Sequence, residues 1–164
     1  EVQAFVRSHA GTLRAQLDRV RGHAEVGLRM KWAVDDIFEY FVDTYDELRE
    51  LRDAVFGDGR EPSRQEKIQV GEEFEALLED ARAAHEATVR EHLSTVCRAI
   101  AADDPKEEAE VMNLACLVPR DGEDAFEEAL MAAAEEFSDD FTLTYTDPMA
   151  PYSFADVAFD GAQA

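Results

Sequence analysis

The sequence has few cysteines, few lysines and no long apolar run, and each shortage excludes a class of protein. Cys97 and Cys116 are the only cysteines among 164 residues, too few for the disulfide framework of a small secreted domain. Both lie in apolar stretches, so we expect reduced core residues in a cytoplasmic protein. No apolar run reaches the roughly 20 residues that a transmembrane helix needs.

Positive charge is also scarce. The chain has 38 Asp and Glu against 16 Lys and Arg, a formal net charge of −22, and only three of the bases are lysines. This charge argues against binding nucleic acids or anionic membranes, because both are polyanions. We interpret it as an adaptation to molar salt, where the Debye length falls to about 3 Å and self-repulsion is screened. The alternative is an acidic surface in a low-salt cell.

The charge is distributed unevenly. Residues 1–32 contain three acids and six bases, whereas residues 121–164 contain twelve acids and no base. This asymmetry suggests that the beginning of the chain packs against, or continues from, another acidic module. Because the sequence starts with Glu1 rather than Met, we expect it to be part of a longer protein.

Apolar spacing predicts an α+β organisation. Helical periodicity covers four segments: 2–20, 35–56, 62–101 and 121–137. The second and third are joined by a Gly- and Pro-containing turn at 57–62, which predicts a long, projecting helical hairpin. We expect Asp121 to cap the fourth helix.

Three segments are typical of strands. Residues 26–32 and 140–146 alternate apolar and polar side chains, and 111–119 is continuously apolar, as in a strand buried on both faces. This order predicts one small sheet with helices on one face. We expect a leading helix at 1–21, an α+β domain at 22–159 with the hairpin inserted at about 35–101, and a tail at 160–164.

No residue pattern indicates catalysis. His85 and His92 are seven positions apart, whereas helical metal ligands are usually closer, as in H-E-x-x-H. A metal or hydrolytic site at these histidines is therefore a weak alternative to two residues on the hairpin seam. Neither cysteine has a neighbouring His or basic cluster to activate it. We expect no enzyme, no cofactor and no metal.

Three stretches, 22–32, 111–130 and 141–159, resemble the conserved blocks of the GvpF/GvpL family of gas vesicle accessory proteins. The residues at matching positions are Glu25, Gly27, Arg29, Lys31, Asn113, Leu117, Val118, Phe126, Tyr145, Pro148, Pro151, Tyr152 and Phe154. The match corresponds to the second, C-terminal domain of the family, and the acidic composition fits a haloarchaeal member closer to the L branch. The chain departs from the family pattern at Asp147, Met149 and Ala150, where the family has Gly, Trp and Pro.

The resemblance implies a modified ferredoxin-like fold and a non-enzymatic, cytoplasmic, gas-vesicle-associated role. Such proteins bind the shell protein and other accessory proteins early in vesicle assembly. We expect partner-binding residues in and below the segment "YTDPMAPYSF": Phe141, Tyr145, Pro148, Met149, Pro151, Tyr152 and Phe154. Tyr152 and Phe154 are expected to anchor this segment and Met149 to meet a partner.

The alternative function is a coiled-coil scaffold or oligomerisation module that works through the helical hairpin without contacting the shell protein. Its seam would be the outer apolar stripe at Val70, Val89 and Leu93. Homo-oligomerisation through the hairpin would follow from this arrangement.

Overall fold

The computed structural model describes residues 9–57 and 59–155 of the chain. The helices are α1 (Ala10–Val20), α2 (Ile37–Thr44), α3 (Asp46–Phe56), α4 (Arg64–Leu93) and α5 (Glu123–Ala134). The strands are β1 (His23–Trp32), β2 (Ala99–Asp103), β3 (Glu110–Pro119) and β4 (Phe141–Tyr145), followed by a one-turn 3-10 helix, Tyr152–Phe154. The first half of the helix predicted at 2–20 lies outside the described residues.

The strands form one sheet in the order β2-β3-β1-β4, and every neighbouring pair is antiparallel. With the helices between β1 and β2 and between β3 and β4, this is the β-α-β-β-α-β arrangement of a ferredoxin-like fold. The predicted fold class is confirmed; the sequence predicted three of these four strands, and the fourth is β2.

The core lies between the sheet and helices α2–α5. Val26, Leu28 and Met30 project from β1 into it, as the alternating pattern predicts. Strand β3 is buried on both faces, also as predicted. On its second face, Leu117 packs beside Phe154 in a smaller cluster.

The predicted helix over 35–56 is wrong at one position, because Tyr45 is extended and separates α2 from α3. The Tyr45 ring stacks on Phe41 at 5.3 Å between ring centroids. The Arg49 guanidinium donates to the carbonyls of Val42 and Asp43 at the end of α2. These contacts satisfy carbonyl groups that a helix end leaves without partners.

The predicted helix over 62–101 is wrong after Leu93, where α4 ends. Residues 99–103 instead form β2, which pairs with β3 from Ala99↔Leu117 to Asp103↔Asn113. Pairing with a long buried strand overrides a local pattern that fits either structure. Cys97, predicted to be helical, lies in the connection between α4 and β2.

The proposed coiled-coil seam is also wrong, because Val70, Val89 and Leu93 are all buried in the core. Asp121 does not cap α5; the N-cap position is Gly122, with no side-chain cap. A Cβ at Gly122 would lie 3.2 Å from the carbonyl oxygen of Pro119, which favours glycine in this tight turn. No helix within 9–57 or 59–155 is long and apolar enough to cross a membrane.

Candidate partner-binding site

After β4, the chain continues in the same direction along β1, toward the beginning of that strand; we call residues 146–155 the terminal segment. The backbone N–H of Thr146 donates to Gly27 O at 2.9 Å, and Gly27 N–H donates to Thr146 Oγ1 at 3.0 Å. Met149 and Glu25 then exchange two backbone hydrogen bonds of 2.8 and 2.9 Å. Across this edge, residues 147 and 148 lie opposite Val26 alone. Two residues opposite one form a β-bulge, and a proline such as Pro148 is tolerated there.

A buried carboxylate fastens the far end of the terminal segment. Glu25 is only 7% exposed. Its carboxylate accepts hydrogen bonds from Ser153 N–H at 2.8 Å and from Ser153 Oγ at 2.7 Å. One residue later, the Phe154 ring is buried at 8% exposure beside Ala115 and Leu117. The segment is therefore attached both by polar contacts and by an apolar anchor.

Between these attachments the chain displays apolar side chains. Met149 is 41% exposed and Tyr152 is 78% exposed. Pro148 is exposed and Pro151 is half-buried. The expectation that Tyr152 anchors the segment is wrong. Of the two rings in the 3-10 turn, Phe154 is buried and Tyr152 is exposed to solvent.

Phe141 and Tyr145 lie on β4, before the displayed residues. Phe141 is half-buried, with ring centroids 4.9 Å from His85 and 5.4 Å from Phe137. Tyr145 is 47% exposed, and its hydroxyl donates to Glu127 Oε1 at 2.6 Å. This hydrogen bond raises the pKa of Tyr145 above its ordinary value.

A cleft of ≈ 430 Å³ adjoins the terminal segment. Val26, Val118 and Pro119 of the sheet line it together with Pro148 and Met149. Its charged lining residues are Arg120 and Glu123. This combination of an apolar lining, a displayed methionine and a few charges suits a protein partner with a projecting apolar side chain.

The remaining candidate residues are not assembled into a reaction centre. His85 is packed among aromatic rings, and burial lowers its pKa. His92 lies on another part of α4, and its Nε2 is 3.9 Å from Oε1 of Glu136. The described residues contain no group of three or more His, Cys, Asp or Glu side chains that could hold a metal ion.

The thiols of Cys97 and Cys116 each shift the pKa of the other. Interaction with the Cys116 thiol lowers the pKa of Cys97, whereas interaction with the Cys97 thiol and burial raise the pKa of Cys116. Cys116 is fully buried on β3 and Cys97 is half-buried.

Sequence reasoning missed the contact between Glu25 and Ser153. Alternation along β1 places Glu25 on the face away from the helices, but it gives no sign that the carboxylate is buried. The family pattern matched Glu25 and Gly27, and both prove to contact the terminal segment. Ser153 occupies a position that the pattern leaves open, so no signal pointed to it.

Comparison with known proteins identifies the family of the chain. Residues 1–156 match the family model described as "Gas vesicle synthesis protein GvpL/GvpF". The chain belongs to this family. The model covers both branches, so the assignment to the L branch stays a prediction.

Among curated relatives, the chain is 25% identical over 151 residues to gas vesicle protein F of Dolichospermum flosaquae, covering 92% of the chain and 61% of that protein. It is 22% identical over 157 residues to gas vesicle protein F of Nostoc sp., covering 96% and 64%. The chain thus spans less than two thirds of these relatives. A haloarchaeal protein F, from Haloferax mediterranei, is 45% identical over 47 residues, 29% of the chain and 22% of that protein.

Solved structures share the fold. The crystal structure of GvpF from Anabaena sp. PCC7120 superposes with a TM-score of 0.85 at 22% identity, covering 96% of this chain and 64% of that one. GvpF from Microcystis aeruginosa gives a TM-score of 0.76 at 22% identity, covering 94% and 63%.

Proposed function

We propose that this chain is a non-enzymatic accessory protein of gas vesicle assembly that binds the shell protein, other accessory gas vesicle proteins, or both. Its place would be the cytoplasm, in association with the vesicle. The observation that carries the proposal is the terminal segment, which is fixed at both ends and displays Met149 and Tyr152 between them. Membership of the gas vesicle family supports the choice of partner.

The segment is suited to binding because its backbone is already ordered. The bonds to Gly27 and Glu25, together with two prolines, hold it in one conformation, so a partner loses less conformational entropy on binding. The cleft beside Pro148 and Met149 can accept an apolar side chain of the partner. Molar salt would screen charge repulsion around these residues while apolar burial is retained.

Co-purification tests this proposal. Tagged chain is expressed in a gas-vesicle-forming host, and shell protein and each accessory protein are quantified after capture. We expect the double variant Met149→Asp, Tyr152→Asp to reduce recovery of the partner at least about tenfold. Anchors of this kind typically contribute about 2 kcal/mol or more to an interface.

The matched control is Ile68→Asp on α4, because Ile68 is 40% exposed, nearly the same as Met149. We expect this variant to recover the partner like the unchanged chain. Equal recovery by the control and by the Met149 and Tyr152 variant would refute the terminal segment as the binding site. Loss in the control alone would favour the hairpin scaffold instead.

A further inference from the structure

A small slot on the second face of the sheet is lined by three apolar residues and two arginines. Its volume is ≈ 220 Å³, and it is lined by Arg19, Arg98, Ala99, Leu117 and Phe154. We call it the arginine slot. It lies on the side of the sheet opposite α2–α5, since Leu117 and Phe154 belong to the cluster on that face.

The two arginines have no acidic partner within the described part of the chain, although the chain carries a net charge of −22. Other arginines do have such partners: Arg29 pairs with Glu110, and Arg82 and Arg90 pair with acids of their own helix. The two positive charges that line this slot repel each other weakly, because both side chains are exposed to solvent. An acidic group entering the slot would relieve this repulsion and pair with both.

The opposite side of the molecule presents a feature of complementary chemistry. Met131 on α5 is 71% exposed, although its neighbour Leu130 faces the core. It adjoins a surface depression of ≈ 440 Å³ whose lining includes Glu127, Glu128 and Glu135. An unbranched, polarizable side chain such as methionine adapts well to an irregular apolar slot. We call this feature the Met131 knob.

We propose that the arginine slot of one copy of the chain receives the Met131 knob of a second copy. The methionine would pack on the apolar lining of the slot, Ala99, Leu117 and Phe154, while Glu128 and Glu135 approach Arg19 and Arg98. Slot and knob lie on opposite faces of the sheet, so the contact is head-to-tail. Such a contact leaves one slot and one knob free at the ends and therefore allows further copies to add.

Salt should promote this association. Two copies that each carry a net charge of −22 repel each other strongly when the Debye length is long. Molar salt removes the long-range repulsion and leaves the burial of Met131 intact. The close charged pairs then serve mainly to select the orientation of the two copies.

Sedimentation velocity of the full chain in molar salt tests the proposal. We expect the unchanged chain to self-associate reversibly. The knob variant Met131→Asp and the slot variant Arg19→Glu with Arg98→Glu should each associate at least about tenfold more weakly, while circular dichroism shows both folded. An equimolar mixture should form heterodimers and nothing larger, because the first variant keeps its slot and the second its knob.

Charge exchange gives a second readout. A copy with Glu128→Arg and Glu135→Arg should bind the slot variant better than it binds the unchanged chain. The matched controls are Ile68→Asp and Arg64→Glu, both at exposed positions outside the slot and the knob, and they should associate normally.

A chain that stays monomeric in molar salt, a mixture without heterodimers, or an equal loss in the controls would overturn the proposal. Because Met131→Asp leaves the terminal segment unchanged, that variant should still capture the shell protein. The two proposals can therefore fail separately.

Discussion

The carboxylate of Glu25 on β1 binds both the backbone N–H and the hydroxyl of Ser153, a residue 128 positions later. Because the carboxylate is buried, removing it leaves two donors without their acceptor. We expect Glu25→Ala to lower the free energy of unfolding by about 1.5–3 kcal/mol, with a smaller effect for Glu25→Gln, which keeps one acceptor oxygen. Urea unfolding in molar salt measures both.

The control for this prediction is Glu107→Gln. Glu107 pairs with Lys31 at 2.6 Å, but its side chain is 65% exposed and solvent screens the pair, so we expect a much smaller change than for Glu25→Ala. If Glu107→Gln were as destabilising as Glu25→Ala, the buried contact would have no special role in holding the terminal segment.

Phe154 and Phe126 are both buried, at 8% and 1% exposure, but they hold different parts of the chain. Phe126 belongs to the main core, and we expect Phe126→Ala to cost about 3–5 kcal/mol. Phe154 belongs to the smaller cluster on the second face of the sheet and anchors the terminal segment, which can detach without unfolding the sheet, so Phe154→Ala should cost less globally.

Native-state hydrogen exchange should instead show faster exchange at the amides of Met149 and Ser153 in Phe154→Ala, with β3 unchanged. Uniformly faster exchange across β3 and the terminal segment would contradict this local role of Phe154.

Much of the sheet could be predicted because its patterns are strong. The alternation from Val26 to Trp32 and the continuous apolar run at 111–119 both favour strands, and they form the central strands β1 and β3. Strand β4 followed from the alternation of Phe141, Leu143 and Tyr145. Local periodicity and final structure agree where burial itself sets the pattern.

Strand β2 could not be predicted for a physical reason. Its sequence, Ala-Ile-Ala-Ala-Asp, has a higher intrinsic preference for helix than for strand and follows a long helical stretch. It is a strand because it pairs with the edge of β3. The break at Tyr45 likewise depends on contacts with Phe41 and Arg49 rather than on a glycine or proline.

The candidate site, too, could be predicted from the sequence only in part. The sequence indicated an irregular, apolar segment at 145–154, and it placed Met149 at the surface. The contact that fixes the segment joins residues 25 and 153, and no periodicity links positions so far apart. Which of the two aromatic rings is buried also depends on this contact. The one-turn helix that follows Pro151 buries Phe154 and exposes Tyr152.

The acidity of the chain predicts folding that depends on salt. With 38 acids against 16 bases, self-repulsion should destabilise the compact state when screening is weak. We expect the free energy of unfolding to fall progressively between molar salt and about 50 mM salt, where the Debye length exceeds about 10 Å. Urea unfolding at several salt concentrations measures this. Stability that is equal at both extremes would contradict the interpretation as an adaptation to salt.

His85 predicts how stability depends on pH. Its ring lies against Phe137 and Phe141, and burial lowers its pKa below the ordinary value of 6.5. Between the lowered pKa and 6.5, the unfolded chain binds more protons at this site than the folded chain. The contribution of His85 to stability is therefore present above about pH 6.5 and is lost as the pH falls toward its folded pKa.

We expect urea unfolding between about pH 7.5 and pH 5.5 to show a steeper loss of stability for the unchanged chain than for His85→Phe, which keeps an aromatic ring and cannot be protonated. The comparison between the two chains cancels the contribution of the many carboxylates, which is common to both. His92→Gln is the control, because His92 lies on the same helix near Glu136 rather than among the aromatic rings, and this variant should keep the steeper dependence. Identical pH dependence in the His85→Phe variant and the unchanged chain would show that the buried imidazole is not the group responsible.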